Sequence, residues 1–226
     1  MKRLRRKAAI GSGLVALAAA LLWHFSPFQA VVALANLSDP AKLATLGERG
    51  ANSRLNKLVY WLHDAGRRGW APDTAIRAAQ FVNRTAEPRA SLVKESLLRN
   101  LQIAEELGLF TSENLDRMRQ GKAAIVTRGP YRNAPVEIDH IVPYSLAREA
   151  GNELANLEML PEPLNRRKSN RVGDRQLAHA RRLWQAGLLS KESLNRVETE
   201  YLRVTGPTSS PHRAAPANIR ERPARK

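Results

Sequence analysis

Residues 137–170 read EIDHIVPYSLAREAGNELANLEMLPEPLNRRKSN. An Asp-His pair, several asparagines and a basic cluster stand within one short span. The hydrophobic pattern around them decides the fold. In VEIDHIVP, Val136, Ile138 and Ile141 recur among polar residues and Pro143 closes the run, which predicts a strand. NLEMLP predicts a second, shorter strand, and a helix is expected from about Pro163. Upstream, AAIVTR (Ala123–Arg128) also reads as a strand, with Ile125, Val126 and Thr127 β-branched, until GPYRNAP breaks it.

Neighbouring residues of a regular strand point to opposite faces, so Asp139 and His140 reach one site only where the strand ends or bends. Pro143 soon afterwards fits such an end. Asp139 offers a hard oxygen to a divalent cation. His140, with an ordinary pKa near 6.5, can take a proton from water. Asn165, on the following helix, offers a second hard oxygen without added charge. One Asp and one Asn make a weak cage, which suits Mg²⁺ or a similar ion such as Mn²⁺ that keeps its waters and borrows phosphate oxygens. Asn156 suits a structural amide, tying the long loop back to the strand bearing His140. Arg166, Arg167, Lys168 and Arg171 surround the second asparagine and suit a phosphodiester. The same groups also suit a solvated surface histidine beside charges, or a finger that binds nucleic acid without cutting it.

The set DHIVP, then Asn156, then Asn165 nine residues on, then Lys168, resembles the HNH endonucleases. It is most similar to the subgroup whose third position is Asn, as in the HNH domain of RNA-guided CRISPR nucleases. The resemblance implies a ββα-metal finger over roughly residues 122–172. It implies that Asp139 and Asn165 bind the metal, that His140 is the general base, and that Asn156 orients its loop. Cysteine pairs that brace many such domains are absent, so the flanking helices must do that work.

Those helices read clearly. Leu55, Leu58, Val59 and Leu62 form one stripe, Pro72 and Pro88 open the next two helices, and Gly108 ends the second of these. Thr111 and Ser190 are placed as N-caps, each with a flanking hydrophobic staple. Arg171–Leu189 is expected to be helical, with Leu177, Ala180 and Trp184 on one side. His63 and His179 lack co-ligands at helical spacing and read as packing residues. The tryptophans Trp61, Trp70 and Trp184 likewise suit packing more than base stacking. The expected fold class is α+β, mostly helical, with the finger embedded between helical hairpins.

The termini carry different signals. Lys2, Arg3, Arg5, Arg6 and Lys7 precede an uncharged apolar run from Ala8 to Trp23, the layout of an export signal or an N-terminal anchor. Ala33-Leu34-Ala35 fits a cleavage pattern, and both outcomes, anchor and cleaved signal, remain open. The expected organisation is an N-terminal signal or membrane anchor over 1–35, a helical region over 36–121, the finger over 122–172, a helical hairpin over 173–205 and a disordered basic tail over 206–226. A net charge of +16 and a sequence pI near 11.1 point to a polyanionic partner, nucleic acid or an anionic membrane surface. With no cysteine, disulfides and thiol nucleophiles are excluded. Together these features predict a metal-dependent endonuclease outside the cytoplasm, acting on DNA or another nucleic acid. The alternative is a non-catalytic, membrane-tethered nucleic-acid-binding protein.

Overall fold

The computed structural model describes residues 28–206; the apolar run Ala8–Trp23 and nearly all of the expected basic tail lie outside the described residues. The fold is mostly helical with a two-stranded sheet. Helices α1 (Phe28–Ser38), α2 (Pro40–Ala44), α3 (Ala51–Arg67), α4 (Pro72–Val82), α5 (Arg89–Glu106) and α6 (Ser112–Arg119) come first. Strands β1 (Val136–His140) and β2 (Leu157–Pro161) follow, then α7 (Glu162–Lys168), α8 (Asp174–Gln185) and α9 (Lys191–Thr205).

The helices form where the apolar stripes and caps direct. Leu55, Leu58, Val59 and Leu62 are fully buried along α3. Pro72 sits in the first turn of α4, where a missing N–H is harmless. Thr111 Oγ1 accepts the Asn114 N–H at 3.3 Å and Ser190 Oγ accepts the Ser193 N–H at 3.1 Å, starting α6 and α9. Gly108 turns the chain out of α5 with φ 68°, and a Cβ there would lie 2.3 Å from Thr127 Oγ1. Only glycine fits both demands.

Three expectations are corrected. Ala123–Arg128 is not a strand: Ile125 makes a single bridge to Pro135. Two backbone bonds flank that bridge, Val136 N–H to Ala124 O at 2.8 Å and Val126 N–H to Ala134 O at 2.9 Å. The chain turns at once, with Asn133 N–H on Val126 O, and the Thr127 and Arg128 N–H groups go to Leu107 O instead. The outward backbone of Ile125 is met by the Asn114 amide, which accepts from its N–H and donates to its carbonyl at 2.8 Å each. Trp184 is half exposed, with the Lys191 ammonium over its ring; Leu183 takes the core position beside Leu177 and Ala180. The helical region begins earlier than residue 36. Helix α1 starts at Phe28, and Ala30, Val31, Leu34 and Ala35 are buried in the same core as α3 and α4.

β1 and β2 pair antiparallel, with Asp139 opposite Glu158 and His140 opposite Leu157. Val136, Leu157 and Met159 join the core, which continues without a break into the helices. Two-stranded sheets are marginal alone. Here α5 supports the outer edge of β2: the buried Asn100 amide donates to Leu157 O at 3.0 Å and accepts from the Met159 N–H at 2.7 Å. Among the described residues, no helix is long and apolar enough to cross a membrane.

Cleavage after Ala35 would cut through α1 and remove Ala30, Val31 and Leu34 from the core. Their transfer from water stabilises the fold by on the order of 5 kcal/mol. A chain beginning at Phe28 is therefore expected to unfold cooperatively near the full-length midpoint in urea. One beginning at Asn36 is expected to lose most of its transition; equal midpoints would show that α1 is dispensable.

Candidate active site around the hairpin and its helix

The alternation of β1 sends Glu137 and Asp139 to one face and Val136, Ile138 and His140 to the other. The strand stays regular through the Asp-His pair, so, against expectation, the two side chains do not share one face. Lys168, bonded to Asp139 Oδ2 and His140 O, is what links the two residues. Helix α7 follows β2 directly and lies along the acidic face. Asn165 Nδ2 donates to Glu137 Oε2 at 2.7 Å, and Lys168, one turn later, pairs with Asp139 Oδ2. Spacings of i, i+2 on the strand and i, i+3 on the helix thus match. The Lys168 ammonium also donates to His140 O at 2.7 Å and lies 3.5 Å from Glu158 Oε1. Asp139 and Glu158 are like charges directly opposite on the ladder, a destabilising arrangement unless neutralised. Lys168 and the Arg175 guanidinium, which contacts both Glu158 oxygens, supply that neutralisation.

His140 ends β1 and is 5% exposed. Its Nε2 lies 2.9 Å from Gly151 O. A carbonyl can only accept, so Nε2 carries the proton and the neutral ring keeps its lone pair on Nδ1. Among the described residues no hydrogen-bond partner takes Nδ1. Burial pushes the imidazole below its ordinary value of 6.5; the Gly151 hydrogen bond and the Asp139 carboxylate oppose this, while Arg49 and Lys168 reinforce it. Gly151 is required by the close approach of Tyr144, since a Cβ would lie 2.5 Å from that ring. Tyr144 in turn stands with its ring centre 5.5 Å from that of His140 and carries the Arg49 guanidinium at 5.0 Å.

The loop from Ile141 to Asn156 is held by amides. Asn156 is fully buried. Its Oδ1 accepts the Val142 N–H at 2.8 Å, and its Nδ2 donates to Val142 O at 3.1 Å and Ala150 O at 3.3 Å. Asn152 Oδ1 accepts the Ala51 N–H at 3.1 Å, so the loop also supports the start of α3. Ser96 Oγ lies 2.8 Å from Leu154 O, and His179 Nε2 lies 3.0 Å from Ala155 O.

Of the four cations expected at a phosphate, two are engaged elsewhere. Lys168 serves Asp139, and Arg167 donates to the Tyr131 hydroxyl at 2.6 Å. Arg166 pairs with Glu162 but stays largely exposed, and Arg171 is exposed. A short helix tucked against the strand aims its i, i+3 side inward, which the composition of NRRKSN alone does not reveal. The sequence reading also missed Glu137, Glu158, Arg49 and Tyr144. Glu137 was open to discovery, because period two places it on the face of Asp139. Arg49 and Tyr144 meet only through folding; Arg49 holds a left-handed backbone with φ 55°, uncommon for a residue with a side chain.

A cavity of about 390 Å³ opens beside this patch, lined by Arg49, Asn52, Asn56, Glu137 and Asn165 among others. A larger one, about 540 Å³, lies between α4 and α5 with Arg77, Arg84 and Lys94; no histidine or orphaned polar atom lines it.

Comparison with models of known protein families, with curated proteins and with solved structures finds no match. The site therefore stands on its own chemistry. Among the described residues no group of three or more His, Cys, Asp or Glu is arranged to hold a metal. A site of one carboxylate and one amide oxygen falls below that count. Asn165 directs its Nδ2 at Glu137, which leaves its oxygen as the other end of the amide. Asp139 already carries a cation, the Lys168 ammonium. Both oxygens are of the hard type that Mg²⁺ prefers, and in this arrangement Asp139 is neutralised by Lys168 while Asn165 is bonded to Glu137.

His179 gives the loop a pH dependence. Burial, then the Arg99 cation of α5 and the Arg182 and Arg175 cations of its own helix, push its pKa to about 4, against the Ala155 hydrogen bond. Its folded pKa lies below the unfolded value of 6.5, so only the unfolded chain binds the proton between them. The contribution is complete above pH 6.5 and is lost as pH falls from 6.5 towards 4, by up to about 3 kcal/mol. Urea midpoints are expected to drop over that window, and His179→Gln is expected to flatten the slope; an unchanged slope would assign the acid sensitivity elsewhere.

Proposed function

We propose that the protein is a metal-dependent endonuclease that hydrolyses phosphodiester bonds of nucleic acid, with β1, β2 and α7 acting as a ββα-metal finger. The observation that carries it is a histidine with a fixed tautomer at the end of a strand whose acidic face is covered by an asparagine-bearing helix. The Gly151 carbonyl holds the Nε2 proton, so Nδ1 is the atom that takes a proton from an attacking water. Asp139 and Asn165 are the residues that would hold the ion. When bound, a divalent ion supplies Lewis-acid stabilisation of charge on phosphate oxygens. Asn156 is a positioning residue, because it fixes the loop whose Gly151 carbonyl orients the base. Arg49, Arg166 and Arg171 approach the polyanion, and the +16 net charge supplies affinity that falls with salt. Nothing in the described helices resembles a base-reading element, so long recognition sequences are not expected. DNA is the first substrate to test.

A second reading has one observation in its favour. Lys168 already neutralises Asp139, as it would in a finger that binds nucleic acid without a metal. Nicking of supercoiled plasmid in Mg²⁺ and in Mn²⁺ separates the two. Wild type is expected to nick, and His140→Ala to lose about a hundredfold or more. The endonuclease assignment fails if wild type and His140→Ala behave alike.

We also infer that the basic N-terminus and its apolar run carry the nuclease outside the cytoplasmic membrane, as a single anchor or as an export signal. An alkaline phosphatase fused after the C-terminus is expected to be active in cells. An inactive but stable fusion would put the protein in the cytoplasm.

A further inference from the structure

The cavity beside Asn165 has an unusual balance of hydrogen-bonding groups. Asn52 and Asn56 are one turn apart on α3 and share a face. Their nitrogens are committed: Asn52 Nδ2 donates to Ile138 O at 3.4 Å and Asn56 Nδ2 to Gly121 O at 3.3 Å. Their oxygens are not. Asn52 Oδ1 and Asn56 Oδ1 are both buried without a partner, and Asn56 as a residue is only 5% exposed. Both residues line the cavity. A buried acceptor without a donor is costly, so the wall as built calls for N–H groups from outside the chain. Glu137, also in the lining, adds carboxylate acceptor capacity beyond the one oxygen that Asn165 takes.

The occupant must offer donors and some apolar surface, since Ala123, Val136 and Ile138 share the lining. A divalent cation is a poor match, because the lining offers one carboxylate, Glu137, together with the cation Arg49. A planar base with an amino group is a good match. Its two N–H bonds diverge, and acceptors one helical turn apart, with Cβ atoms about 5–6 Å from each other, can take both. Adenine, cytosine and guanine each carry such a group. Thymine and uracil carry none, and present carbonyl oxygens that would face the Asn52 and Asn56 oxygens. Asn165 joins the cavity to the patch proposed to hold the phosphodiester.

We propose that the groove between α3 and β1 is a nucleobase subsite, taking a base with an exocyclic amino group next to the bond to be cut. This rests on the endonuclease reading, and adds to it a preference at one position rather than a recognition sequence.

The test is digestion of oligonucleotides with randomised bases by the full chain in detergent, followed by sequencing of the new ends. At one position beside the cut, thymine is expected to be depleted about tenfold relative to the other three bases. Asn52→Ala, at the less buried of the two amides, is expected to reduce that depletion to about threefold or less. An active enzyme with no bias at any position overturns the subsite and leaves the endonuclease standing. A protein that cuts nothing in any metal overturns the endonuclease, and the subsite is then decided by binding. In that case the 5′-monophosphates of deoxyadenosine, deoxycytidine and deoxyguanosine should shift the Asn52 and Asn56 side-chain amide resonances, and thymidine monophosphate should not. Equal shifts from all four, no shift from any, or the same shifts from Mg²⁺ alone overturn it.

Discussion

The amide side chains that clamp the hairpin are the constraint on which the rest depends. A two-stranded sheet has two outer edges and little stability of its own. Buried backbone groups on such an edge need partners, or each is left with a large desolvation penalty. Helix α5 meets this with Asn100, whose amide takes the place of a third strand along β2. Asn114 does the same for Ile125, and Asn156 joins the two ends of the long loop. Each amide offers a donor and an acceptor in one plane, which is what a peptide group offers. The hairpin is therefore braced by its neighbours, in a chain that has no cysteine for a disulfide.

This bracing decides where charge can sit. With the register fixed, Asp139 must face Glu158. Two carboxylates side by side need cations, and α7 and α8 deliver Lys168 and Arg175 to them. The turn of α7 that brings Lys168 inward also sets Asn165 against Glu137. A one-residue slip of β1 would exchange the Asp139 face for the His140 face and undo every one of these pairs. Register, ion pairing and the position of the asparagine are thus one constraint expressed three times. Lys168 is best understood as the counter-charge of Asp139, a role that its place in a basic cluster conceals.

Much of this was legible in the sequence. The stripe of α3, the prolines opening α4 and α5, the caps at Thr111 and Ser190, and the order of strand, strand and helix around DHIVP follow from local pattern. Local pattern failed where a distant group competes. Ala123–Arg128 has β-branched residues at the right density, yet the ladder ends after one bridge because the N–H groups of Thr127 and Arg128 go to Leu107 O at the end of α5. Trp184 has the spacing of a core residue, but Leu183 packs instead. At the site, Asp139, His140 and Asn165 stood out through residue type and spacing. Arg49, Tyr144, Asn52 and Asn56 did not, because they lie on other elements and reach the patch only through packing.

The histidine shows how much of its chemistry is imposed from a distance. Its tautomer is set because the Gly151 carbonyl faces Nε2, and burial pushes the ring towards its neutral form. That carbonyl is in place because residue 151 has no Cβ to collide with Tyr144, and because Asn156 and Asn152 hold the loop at either side. Asn152 also bonds to the start of α3, the helix that carries the two orphaned amide oxygens of the groove. The imidazole and the groove are therefore coupled through one loop and one helix end. A substitution that loosens this loop would disturb the imidazole and the groove together, whereas one at the Asn52 or Asn56 oxygen would touch the groove alone.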